Sequence, residues 1–175
     1  MTEHHYIPDA TDDVGVESLQ ASQMMLAELA KKFMLAGNAT FTLRSKTTSK
    51  RFTYKIQKIP DEGRRGWNTH RWWCKLLTGP DNSNDFKYFG MLYGARDGGS
   101  YCYVHGKPGK SCAARSSESV KAFTYTVGNI FDRTRIPDGV EFWHAGKCGR
   151  CGRKLTDPDS IESGFGPECV TKIGM

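Results

Sequence analysis

Four metal-ligating residues follow one another near the end of the chain, His144, Cys148, Cys151 and Cys169, in the pattern His-x3-Cys-x2-Cys-x17-Cys. Three thiolates and one imidazole are the tetrahedral donor set of a structural zinc site. A tail this short cannot hold itself together by burial alone, so metal closure must stand in for a core of its own. Gly149 and Gly152 are expected to fold the backbone tightly beneath the metal, turning amide N–H groups toward the sulfurs. Phe165–Cys169 reads as a helix start, with Pro167 at the first helical position and Cys169 in the first turn, where the positive helix end favours a thiolate. The rival reading of Cys148 and Cys151 is a reduced redox pair, but that motif sits between a strand and a long helix, and too few residues follow.

The fourth ligand is expected to be His144, in a strand read from VEFWHAG. Failing that, Asp157 or a water completes the tetrahedron, and an open position would suit a catalytic metal. No HExxH or HxE pattern supplies a general base nearby, so a closed structural site with Zn2+ is the expectation.

The 175 residues suffice for one ordinary domain with a small appendage, and no apolar run is long enough to span a membrane. The first residues are acidic and polar, unlike a signal peptide. Six cysteines in such a chain point to a reducing cytoplasm and to thiols or metal. Charge divides the chain. Residues 1–37 carry six acidic and two basic side chains, an acidic arm followed by a helix. Residues 38–137 are read as a basic α+β core domain, and residues 138–175 as the zinc-binding segment. Over residues 38–140 there are eighteen basic and eight acidic side chains, which marks the middle of the chain as the place for a polyanion.

Apolar spacing predicts a helix over Glu17–Ala36, with Leu19, Leu26, Leu29 or Ala30, and Phe33 on one face. Period-two alternation predicts a hairpin over Ala39–Lys58, then strands at 70–78 and 86–93 and a short one at 101–104. A second helix is expected over Ser116–Arg133, and a strand at 139–144 leads into the cysteines. The fold class is therefore α+β: an antiparallel sheet of about five strands, two flanking helices and a small zinc knuckle.

Val140-Glu-Phe-Trp-His144, Gly149-Arg-Cys-Gly-Arg-Lys-Leu155, Pro158-x-Ser160-Ile161 and Gly164-x-Gly166-Pro167-x-Cys169 resemble the signature of a family of uncharacterised proteins encoded largely by bacteriophages and prophages. The pattern of residues 38–170 is similar to longer members. The resemblance implies a zinc-binding fold and a phage setting, and supplies no activity and no catalytic residues.

Basic groups for phosphates and aromatics for bases are what a single-stranded nucleic acid requires. Lys46, Lys50, Arg51, Arg64, Arg65, Arg71 and Trp72 supply both, and Arg150 and Arg153 add cations between and after the knuckle cysteines. Against this, alternating aromatics on strands usually form core, and cations on the other face are usually solvated. Trp72 and Trp73 cannot both be core in a strand covered on one side. Cys102, His105 and Cys112, with Cys74, are weighed as a second metal site. No nucleophile motif or phosphate-binding loop is present, so no enzyme is expected. The reading is a non-enzymatic, zinc-stabilised accessory protein binding DNA or RNA. The alternative is an inhibitor that binds a host defence or transcription factor through the N-terminal arm and helix.

Overall fold

The computed structural model describes residues 23–60 and 69–173. It is an α+β fold built on one antiparallel sheet. The elements are β1 (Gln23–Met24), α1 (Ala27–Leu35), β2 (Asn38–Ser45), β3 (Arg51–Lys58), β4 (Thr69–Leu77), β5 (Phe86–Ala95), β6 (Tyr101–His105), α2 (Glu118–Arg133), β7 (Val140–His144), α3 (Pro158–Ser163) and α4 (Pro167–Val170). The sheet has seven strands in the order β1-β7-β2-β3-β4-β5-β6, two more than expected. The additions are the two-residue β1 and the strand before the cysteines. That strand does not merely lead into the knuckle. It inserts between β1 and β2, with Phe142 opposite Leu43 and His144 opposite Phe41.

The first helix is shorter than its apolar spacing predicts. Gln23 and Met24 pair with Trp143 and Phe142 in extended backbone, so the described helix begins at Ala27, and residues 17–22 lie outside the described residues. The buried stripe is Ala27, Ala30, Phe33 and Met34, while Leu26, expected in it, is 68% exposed. The second helix matches its spacing closely. Ser117 caps it by accepting the Val120 N–H, and Thr134 ends it in the left-handed region.

Strand alternation sorts the side chains. Ala39, Phe41 and Leu43, Tyr54 and Ile56, Trp72, Cys74 and Leu76, and Phe142 are buried toward the helices. Phe41 stacks on Phe142 with ring centroids 4.6 Å apart, and Phe123 of α2 meets Tyr54 and Phe89 at 5.2 and 5.0 Å. The buried Tyr54 hydroxyl donates to the Ser119 carbonyl at 2.7 Å, tying β3 to the start of α2. Burial pushes that phenol far above its ordinary range, so it stays a neutral donor. An irregularity between Cys74 and Lys75 pairs Lys75 with Tyr88 and tucks both Phe89 and Gly90 inward. No helix among the described residues is long and apolar enough to cross a membrane.

Candidate metal centre and open sheet face

The tail turns back on the sheet through backbone hydrogen bonds. Ala145 N–H donates to Thr40 O, Asn38 N–H to Gly149 O and Leu155 N–H to Gly146 O. Phe33 is the floor on which it rests. Its ring meets Phe142, His144 and Phe165 at 6.5, 5.7 and 5.8 Å between centroids. A Cβ on Gly149 would lie 2.6 Å from the Phe33 ring, so this glycine serves close packing. The positive φ needed in the turn belongs to Gly152, at +75°.

Cys148, Cys151 and Cys169 form the one group of three or more metal-ligating side chains among the described residues, with ligand atoms all within 4.8 Å of one another. Thiolates about 2.3 Å from a tetrahedral ion are about 3.8 Å apart, a separation compatible with the spacing of the trio. Burial alone would push the Cys148 thiol up. Backbone N–H groups of Cys151, Gly166 and Arg150, together with the Cys151 side chain, outweigh it and bring the pKa to about 7. Cys169 lies in the first turn of α4, with Gly166 as N-cap and Pro167 first, as its sequence predicts. Its thiol is pushed up by burial and by sharing hydrogens with Cys151 and Cys148, and the Arg150 guanidinium, hydrogen-bonded to it, opposes this. Arg150 therefore neutralises charge at the sulfurs.

The structure does not bring His144, the expected fourth ligand, to the thiols. It is 4% exposed and lies outside the thiol group. Both ring nitrogens are engaged: Nε2–H donates to Ile161 O at 2.7 Å, and Nδ1 accepts the Gly146 N–H at 3.1 Å. The side chain is a neutral strut between β7 and the end of the tail, and burial holds its pKa below the ordinary value. Asp157 caps α3, accepting the Ser160 N–H at 3.1 Å. The trio opens into a cleft of about 520 Å³ that Asp157, Glu168, Arg153 and Lys154 also line. The second metal site does not assemble. Cys74 is fully buried on the helix side, Cys102 and Cys112 are exposed, and the His105 Nδ1 pairs with the Tyr103 hydroxyl at 2.9 Å.

Helices α1 and α2 lie on one face of the sheet, and the opposite face, left open among the described residues, carries a different set of side chains. Register places Trp143 beside Thr42 and Thr53, Lys55 beside Lys75 and Tyr88, Trp73 beside Met91, and Arg71 beside Tyr93. Arg44 and Arg51 complete this face at its far end. The acidic side chain in these strands is Glu141, which pairs with Arg44 at 3.3 Å and accepts the Trp143 indole N–H. Trp73 is 41% exposed and meets Tyr88 edge-on, centroids 5.4 Å apart.

The expected nucleic-acid residues scatter across this map. Arg51 and Arg71 are on the open face. Trp72 is not: it is 3% exposed beneath α1 and donates its indole N–H to Leu35 O at 3.2 Å. Lys50 reaches Glu118 at 2.8 Å on the helix side. Lys46 follows the hairpin strand, where its N–H donates to Gly139 O, and Arg153 lies on the knuckle cleft. Arg64 and Arg65 lie outside the described residues. Lys75, Tyr93 and Trp143 are additions, legible by counting in twos from the buried Cys74, Leu92 and Phe142.

Residues 142–174 match the model of a family of unknown function, DUF6011. No curated protein and no solved structure matches the chain.

Proposed function

We infer that this is a non-enzymatic protein whose tail is locked by Zn2+ on Cys148, Cys151 and Cys169, and whose open sheet face binds single-stranded nucleic acid. The observation that carries the reading is the parity of β3–β5 and β7. It sends Trp73, Trp143, Tyr88 and Tyr93 to the side opposite α1 and α2, together with Arg51, Lys55, Arg71 and Lys75. Indole and phenol faces offer stacking surfaces to bases of any sequence, and the cations follow the phosphates. Three soft thiolates favour zinc, and the metal's part is to fix the tail against Phe33. A phage setting follows from the resemblance of the tail, and a cytoplasmic one from the free thiols.

Tryptophan emission tests the binding reading, because Trp73 and Trp143 are on the proposed face. Titration with a short oligothymidylate is expected to quench emission saturably, with loss of most of the quenching in Trp73→Phe. Elemental analysis of the same sample is expected to find one zinc per chain. Unchanged emission at saturating oligonucleotide contradicts the nucleic-acid reading.

A further inference from the structure

Lys55 and Lys75 are direct cross-strand neighbours on the open face. Like charges so placed destabilise a strand pair, and a carboxylate opposite either would relieve it. Among the described residues neither has one: the ion pairs are Arg44–Glu141, Lys50–Glu118 and Arg135–Asp138. Both ammonium groups are instead steered. Lys75 Nζ donates to Gln57 Oε1 at 2.7 Å, and Gln57 in turn donates to Asn38 Oδ1 at 3.3 Å, a chain across three strands. Lys55 Nζ sits 5.7 Å from the centre of the Phe86 ring.

A third cation comes from the tail. The backbone from Ala145 to Gly149 runs beside β2, bonded to Thr40 and Asn38, and Thr40 is the cross-strand neighbour of Lys55. Lys147 lies in the middle of that run, exposed, immediately before Cys148. It is close enough to Lys55 that, after burial and Lys75, it depresses the Lys55 pKa. Lys55 thus has two ammonium neighbours, and among the described residues no carboxylate pairs with any of the three, a concentration of positive charge that an anion would relieve.

We propose that Lys55, Lys75 and Lys147 form one phosphate-binding subsite, holding a backbone phosphate of the strand whose bases lie on Trp73 and Tyr88. The proposal rests on the nucleic-acid reading for the strand, but the subsite has a ligand chemistry of its own. Lys147 joins it because the metal-bound turn carries this residue to the sheet, so the tail supplies part of the binding surface.

The test uses the full-length, metal-loaded protein with two probes, labelled oligothymidylate and inorganic pyrophosphate. Lys55→Gln, Lys75→Gln and Lys147→Gln are compared with Lys121→Gln, which removes one charge from the helix side. Metal content is measured on each variant to confirm an intact tail. Where oligothymidylate binds, each subsite variant is expected to lower the slope of log affinity against log salt by about 0.7, and Lys121→Gln to leave it unchanged. Slopes equal to wild type in all three variants overturn the subsite and leave the open-face reading standing. Where oligothymidylate does not bind, pyrophosphate decides. Binding by wild type that weakens roughly tenfold in each variant keeps the subsite and discards the nucleic-acid reading. Absence of pyrophosphate binding then overturns both.

Discussion

Trp72 and Trp73 are neighbours in β4 and face opposite sides of the sheet. Trp72 is 3% exposed with its indole N–H on the Leu35 carbonyl, and Trp73 is 41% exposed against Tyr88. Adjacent, chemically identical side chains thus serve opposite sides, one in the core and one on the proposed binding face. Trp72→Ala is expected to lower stability by about 3–5 kcal/mol, as for a large aromatic removed from a core. Trp73→Ala should change it by less than about 1 kcal/mol while weakening oligonucleotide binding by about 1–3 kcal/mol. Chemical denaturation and a binding titration on the two variants check the contrast.

The cysteines should divide by reactivity. Cys102 and Cys112 are exposed and are expected to alkylate first. Cys74 is fully buried and its thiol is pushed far up by that burial, so it should resist until the fold opens. Cys148, Cys151 and Cys169 should be protected by the metal and become reactive together once a chelator is added. Mass-resolved alkylation with and without chelator reads all three classes, and independent reaction of Cys151 before chelation would contradict a shared ion.

His144→Ala is expected to keep the full metal content, because both ring nitrogens are committed to Ile161 and Gly146. It should cost about 2 kcal/mol through the buried backbone groups left unpaired. Burial lowers the His144 pKa, so the neutral ring is the folded form. Its contribution is therefore complete above the ordinary histidine pKa of about 6.5 and fades as pH falls through the lower folded value. The stability gap between wild type and His144→Ala should narrow from pH 7.5 toward about pH 5. Loss of metal in the variant would restore the histidine as a ligand.

Gly149→Ala tests how closely the tail is seated. The added methyl would lie 2.6 Å from the Phe33 ring, so Phe33 or the turn must shift. A cost of about 1–3 kcal/mol is expected, with weaker metal retention on titration with a competing chelator. Gly139→Ala, with open space at its Cβ, is the control.

Legibility in the sequence followed the range of the forces involved. The hairpin of β2 and β3, the second helix and the turn geometry of the cysteines are local: alternation, apolar spacing and the Gly166-Pro167 start announce them. The position of β7 was not local, because nothing within VEFWHAG says that Phe142 will stack on Phe41 across the sheet. The same limit explains His144. Its spacing from Cys148 suits a ligand, yet the groups that claim it, Gly146 N–H and Ile161 O, are set by how the tail folds back. Likewise Trp72 and Trp73 could be told apart only once a helix was known to cover one side.

The most direct test of the central claim is fluorescence anisotropy of labelled oligothymidylate with the zinc-loaded protein, at about 50 mM and about 200 mM salt, for wild type and Trp73→Ala. The account predicts saturable binding to wild type that falls at least roughly tenfold between the two salts and is weakened at both by the substitution. Affinity that is flat with salt, or equal in Trp73→Ala, would contradict a nucleic-acid surface on the open face.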